Sequence, residues 1–202
     1  MELYIVRHGQ TDWNKMDRLQ GLTDIELNAN GRQVAIELGD KLENEGVEFD
    51  AIYSSPLIRA YETASLIRGR QNIRIIKDER LHEIGFGVDE GVDYKTWLRE
   101  DNPQRVFFTE PGKYFPPEGG ESIESVCKRG EEFLREVIEP QYDKADKIMI
   151  VAHGAMNKGL MAYLENNDKE HFWGDGLQNN CEADVFEYDG NTWCKTVSSQ
   201  KK

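Results

Sequence analysis

Two short apolar runs in this chain end in the same way, "LYIVRHG" (residues 3–9) and "IMIVAHG" (residues 148–154). Runs of this length are too short for a core helix. They suit strands buried on both faces, as in a parallel sheet covered by helices. Residues just beyond such a strand are delivered to one edge of the sheet, and here those are Arg7-His8-Gly9 and His153-Gly154. In open α/β sheets, ligands bind at the carboxyl ends of the strands. The pattern therefore limits the fold and also says where in it to look for chemistry.

The intervening sequence supplies the helices such a sheet needs. "NGRQVAIELGDKLENEG" (30–46) carries Val34, Leu38 and Leu42 at i, i+4 and i+8 and stops near Gly46, the pattern of an amphipathic helix. "FDAIYSS" (49–55) reads as a second strand, and Pro56 suits the first turn of a helix through "LIRAYETASLI". "IRIIKD" (73–78) reads as a third strand, and residues 148–153 as a fourth, followed by a helix through "MNKGLMAYL". Another helix, from about Ser122, places Val126, Phe133, Leu134 and Val137 on one face. "ADVFEYDGNTWCKTVS" (183–198) reads as two strands joined at "DGN". Alternating strands and helices predict an α/β fold, a mostly parallel sheet with helices on both faces. Residues 92–120, rich in aromatics, Pro and Gly, fit no simple crossover. They are expected to form a small inserted cap within a single domain spanning 1–202. In "PEGGES", Gly119-Gly120 reads as a turn and Ser122 as a helix N-cap.

Charge narrows the possible partners. A formal net charge of −13 gives no basic footprint for nucleic acid or an anionic membrane. No apolar run approaches membrane-spanning length, and "MELYIVRHG" lacks the pattern of a signal peptide. Cys127, Cys181 and Cys194 show no C-x-x-C spacing. They read as idle thiols in a reducing compartment, with a Cys181–Cys194 bridge as the alternative. A cytoplasmic location is expected. In so acidic a chain, any anion site must be made by a local positive cluster. If the second strand leads through Ser54-Ser55 to Arg59, convergence of the strand ends brings Arg7, Arg59, His8 and His153 together. A phosphate dianion is the natural partner of such a group, since the arginine fork matches its oxygens in pairs.

These motifs form an ordered series: "LYIVRHGQTDWN", "LQGLTDIELNANGRQVA", "IYSSPLIRAYETA", "LHEIGFGVDEG", "PEGGES" and "IVAHG". The series covers nearly the whole chain and resembles the histidine phosphatase superfamily, also called the phosphoglycerate mutase-like family. The resemblance implies that His8 is the nucleophile taking the phosphoryl group, and that Arg7, Arg59 and His153 hold its oxygens with help from Asn14. It implies that Glu83 protonates the leaving oxygen. The pocket beyond the phosphate is expected to be built by residues 92–120 and by "LQGLTD" (19–24), with Gln20 and Gly21 facing the ligand. The resemblance implies no metal, no cofactor and a small phosphomonoester as the partner; oligomeric state is not legible.

Alternatives stand beside these readings. Asn14 also fits a turn cap, Arg59 a helix-surface partner of Glu62, and Glu90 a rival to Glu83 as acid. Asp89 departs from the family, which often carries an aromatic before "EG". His82 and His171 read as structural or surface residues. Trp97, Phe107, Phe108, Tyr114 and Phe115 read as the core of the inserted segment, with one or two at the pocket mouth. The activity implied is a metal-independent phosphatase working through phosphohistidine on His8. The same residues would serve a phosphoglycerate mutase, although the family's mutases tend to be longer. A catalytically idle phosphate-binding module would need neither nucleophile nor acid. A metal hydrolase built on His8, His82, Glu83 and His153 lacks spacings such as H-E-x-x-H.

Overall fold

A computed structural model describes residues 1–197. Six strands, β1 (Glu2–Arg7), β2 (Ala51–Ser54), β3 (Ile75–Lys77), β4 (Lys147–Ala152), β5 (Ala183–Tyr188) and β6 (Trp193–Val197), form one sheet in the order β3-β2-β4-β1-β5-β6. β1 to β4 run parallel, β5 pairs antiparallel with β1, and β6 continues antiparallel at the edge. The helices are α1 (Asp12–Lys15), α2 (Ala29–Asn44), α3 (Ile58–Arg68), α4 (Tyr94–Trp97), α5 (Val106–Thr109), α6 (Ile123–Phe133) and α7 (Gly154–Leu164).

Side-chain alternation divides the core in two. Leu3, Ile5, Ile148 and Ile150 face one way, against Val126 and Phe133 of α6 and Met156 and Leu160 of α7. Val6, Ile52, Met149 and Val151 face the other way, against Ala35 and Leu42 of α2 and Ala60, Ala64 and Ile67 of α3. Both faces of the central strands are covered, which is why they read as unbroken apolar runs rather than alternating ones.

Most boundaries fall where the sequence puts them. α2 ends at Asn44, two residues before Gly46 turns the chain with φ +72°. Ser122 caps α6 by accepting from the backbone N–H of Ser125. α3 is the exception: it begins at Ile58, two residues beyond Pro56. The reason lies outside the local sequence, because the Asp24 carboxylate accepts the Ile58 N–H at 2.7 Å and caps the helix there. The "DGN" hairpin forms as expected, with its last expected residue, Ser198, outside the described residues. All three cysteines are free thiols. Among the described residues no helix is long and apolar enough to cross a membrane.

The segment 92–120 folds as short helical turns packed onto the α6–α7 side of the core. Trp97, Phe107 and Tyr114 are buried there against Leu81, Ile84 and Phe86. Phe115 does not join them; it is 82% exposed, in the irregular stretch that leads to the turn at 118–119. Asp89 accepts the buried Trp97 indole N–H at 3.0 Å, so the family departure at this position is used to satisfy an indole inside the segment.

Candidate active site

The register of β1 and β4 pairs Arg7 with Ala152, so His8 and His153 leave adjacent strands side by side. Their ring centroids are 5.1 Å apart. β2 flanks β4 on the other side and leads into α3, whose second residue, Arg59, is fully buried. The Arg59 guanidinium donates to the carbonyls of Thr23 (2.9 Å) and Gly21 (2.7 Å). Arg7 donates to the carbonyl of Gln178. Glu83 comes from the loop after β3 and accepts from the backbone N–H groups of Ile84 (3.0 Å), Met156 (3.1 Å) and Ala155 (3.4 Å). The N-terminus of α7 thus fixes the Glu83 carboxylate beside the two histidines.

Several polar atoms in this group have no partner. Nε of Arg7, Nε of Arg59 and both ring nitrogens of His153 are buried without a hydrogen bond. Unpaired buried polar groups are costly, and a convergent set of them marks the seat of a ligand. The two guanidiniums among them suit that place to an anion. His8 is differently placed: its Nδ1 lies 2.7 Å from the Gly9 carbonyl. A carbonyl only accepts, so Nδ1 carries the proton and Nε2 keeps its lone pair. Burial, then the charges of Arg59 and Arg7, hold the His8 imidazole neutral, well below its ordinary value. Burial and Arg59 do the same to His153. Burial also pushes Arg59 down, to about 10, which leaves it charged at neutral pH.

The neutral histidines give the protein a pH signature. Unfolded imidazoles take up protons near pH ~6.5, whereas these two resist in the folded state. The unfolded state therefore binds more protons, and stability falls as pH drops below about 6.5, by up to about 1.4 kcal/mol per pH unit for each histidine. Unfolding midpoints measured from pH 7.5 to 5 are expected to slope downward toward acid, and His153→Ala to lose a large part of that slope.

Arg7, His8, Arg59 and Glu83 form the floor of a cleft of about 630 Å³, lined also by Asn14, Gln20, Asn180, Tyr94, Phe108 and Trp173. His153 is fully buried beside His8 and does not itself line the cleft. Among the described residues no group of three or more His, Cys, Asp and Glu is placed to hold a metal ion. A family model of the histidine phosphatase superfamily (branch 1) matches residues 3–199. The chain belongs to the histidine phosphatase superfamily.

Relatives within this superfamily include phosphoserine phosphatase 1 of Hydrogenobacter thermophilus, 33% identical over 190 residues (89% of this chain, 83% of that protein). The 2,3-bisphosphoglycerate-dependent phosphoglycerate mutase of Parvibaculum lavamentivorans is 31% identical over 171 residues (83% and 81%). Among solved structures, Bacillus stearothermophilus YhfR superposes with a TM-score of 0.88 at 35% identity, covering 100% of this chain and 98% of its own.

In this histidine phosphatase chain the open alternatives are resolved by contacts. Arg59 does not pair with Glu62, which binds Arg32 at 2.6 Å instead. Asn14 lines the cleft and also closes a capping box: its Oδ1 accepts the Thr11 N–H at 3.0 Å, which leaves its amide N–H₂ for a ligand. Gln20 lines the cleft, its Oε1 held by the Thr11 hydroxyl at 2.9 Å. Gly21 does not line it. With φ +55° it turns the chain so that its carbonyl meets Arg59, and a Cβ there would come within 2.2 Å of the Glu90 carboxylate.

Glu90, unlike Glu83, does not line the cleft. It accepts from the backbone N–H groups of Leu22 (2.8 Å), Thr23 (2.9 Å) and Phe86 (3.3 Å), and from the Thr23 hydroxyl. It clamps the turn whose carbonyls hold Arg59. Glu90→Ala is expected to cost about 2 kcal/mol of stability, since it strips charge-assisted bonds from these donors. It is also expected to weaken orthophosphate binding; thermal unfolding and a phosphate titration measure the two effects. His82 pairs with Glu79 at 3.0 Å, and His171 is exposed beside Asp168.

Other contributors left no mark in the sequence pattern. Asn180 donates to the His8 carbonyl at 2.8 Å, and Gln178 bridges the Ile5 carbonyl and the Asn157 amide. Both sit in an irregular loop before β5, where no periodicity points to them. Thr63, inside "RAYETA", accepts the Gly9 N–H at 2.9 Å and donates to the Arg59 carbonyl at 2.6 Å. Its place four residues after Arg59, on the same helix face, is the signal that could have found it.

Proposed function

We propose that this protein is a metal-independent phosphatase that hydrolyses small phosphomonoesters through a phosphohistidine on His8. The observation that carries this reading is the His8 imidazole, neutral and tautomer-fixed by Gly9, amid unpaired donors suited to a phosphoryl group. The Nε2 lone pair attacks phosphorus, and the bond to the ester oxygen breaks. Arg7, Arg59, His153 and Asn14 bind the equatorial oxygens, where charge is spread in the transition state. Glu83 gives its proton to the leaving oxygen, then takes one from a water that attacks the phosphohistidine and releases orthophosphate. The segment 92–120 acts as a cap whose residues Tyr94 and Phe108 form one wall of the substrate cleft.

Hydrolysis is favoured over mutase activity by the charge of the cleft. A mutase must retain a bisphosphorylated intermediate while it turns over, which calls for cations at both ends. Among the described residues, the only Lys or Arg lining this cleft beyond Arg7 and Arg59 is the exposed Arg18, which stands beside Asp17. Incubation with 3-phosphoglycerate, with and without a bisphosphoglycerate primer, separates the readings. Released orthophosphate supports the phosphatase; isomerised product without it refutes the proposal. His8→Ala serves as the blank.

A further inference from the structure

Away from the phosphate end, the cleft is walled by aromatic rings. Phe108 lies nearly parallel to Trp173, with centroids 6.1 Å apart and an interplanar angle of 20°. Tyr94 sits 6.1 Å from Phe108, tilted against it by 58°. Phe107 backs this wall, its centroid 5.0 Å from both Phe108 and Trp173. The Trp173 indole N–H is already used, donating to the Phe107 carbonyl at 2.6 Å. Trp173 therefore offers the cleft an apolar surface and no donor.

Tyr94, Phe108 and Trp173 are only half-buried, although a large aromatic core lies directly behind them. Contiguous apolar surface left wet inside a concavity marks a place where a ligand completes the burial. The polar groups at the same rim are largely engaged: Asp17 pairs with Lys95, and Arg18 donates to the Gly91 carbonyl at 3.2 Å. A short, highly polar organic part would leave the rings hydrated. At about 630 Å³, the cleft falls in the range of roughly 300–1,000 Å³ that encloses drug-sized ligands.

Building on the phosphatase reading, we infer that the preferred substrates are phosphomonoesters whose organic part carries an aryl group, docked on Tyr94, Phe108 and Trp173. The aryl group desolvates the wall while the phosphoryl group is held at His8, so recognition is split between a charged end and an apolar end. Substrates with a second anionic group in place of the ring gain nothing from the wall.

The test compares 3-phenylpropyl phosphate with n-propyl phosphate. Both release a primary alkoxide of matched basicity, so any difference reports the ring and not the chemistry. The wild-type enzyme is expected to favour the phenyl ester by about 10- to 100-fold in kcat/KM, as burial of one ring implies. Trp173→Ala and the milder Phe108→Leu are expected to bring that ratio down toward one. A wild-type ratio near one, a preference for 3-phosphoglycerate, or a ratio unmoved in both variants overturns the inference. The corresponding phosphonates, which cannot be hydrolysed, provide a second arm by calorimetry. If neither ester nor 3-phosphoglycerate releases orthophosphate, the phosphatase reading fails. Tighter binding of 3-phenylpropylphosphonate than of propylphosphonate would still uphold the aryl site, and equal binding would overturn it.

Discussion

His8→Ala is expected to reduce phosphatase turnover by on the order of 10⁴-fold or more, the largest effect of any single change in the protein. The substitution removes the only group proposed to bond to phosphorus. The remaining donors, Arg7, Arg59 and His153, keep their backbone positions and can still hold an oxyanion. Orthophosphate binding is therefore expected to survive while turnover vanishes. The variant also lacks one of the two buried neutral imidazoles, so its stability should fall less steeply below pH ~6.5 than that of the wild type. Rapid alkaline quenching during turnover of labelled substrate is expected to trap label on His8 in the wild type and none in the variant. Label on any other side chain, or substantial turnover by His8→Ala, refutes the mechanism.

Glu83→Gln is expected to give the second-largest loss, about 10²–10⁴-fold on alkyl phosphates. Glutamine keeps an acceptor for the N–H groups of Ile84 and Met156, at 3.0 and 3.1 Å, so the loop and the start of α7 should hold their places. What it lacks is a proton to give in the first transfer and a base for water in the second. The deficit should therefore depend on the leaving group. An ester of an acidic phenol departs without protonation, so the variant should phosphorylate His8 quickly and then stall, releasing about one equivalent of phenol in a burst. An equal loss for alkyl and acidic aryl esters, with no burst, would remove Glu83 from both steps.

The contrast between Glu83 and Glu90 shows why the site is only partly legible in the sequence. Both are glutamates in "LHEIGFGVDEG", and the sequence offers no physical way to separate them. In three dimensions Glu83 lies at the N-terminus of α7, beside the histidines, whereas Glu90 is enclosed by the N–H groups of the 22–23 turn. Gly21, expected to face the ligand, is instead a backbone turn that presents its carbonyl to Arg59. Asn180 and Gln178, which brace the floor, lie in a loop whose pattern says nothing about what it touches.

The amino-acid order alone marks the strands, their burial on both faces and the position of Arg7, His8 and His153 at or just past strand ends. These outcomes stem from short-range periodicity, because apolar runs of strand length have few other ways to be buried. That β1 and β4 are neighbours in register, that Arg59 turns inward, which carboxylate faces the cleft and which rings wall it all emerge from long-range packing. Those features rest on contacts between residues far apart in the chain, such as Asp24 capping α3 and Glu90 gripping the 22–23 turn. Local sequence sets the preferences of each element. Which elements meet is set by packing, and a protonation state or a hydrogen-bond partner exists only after they have met.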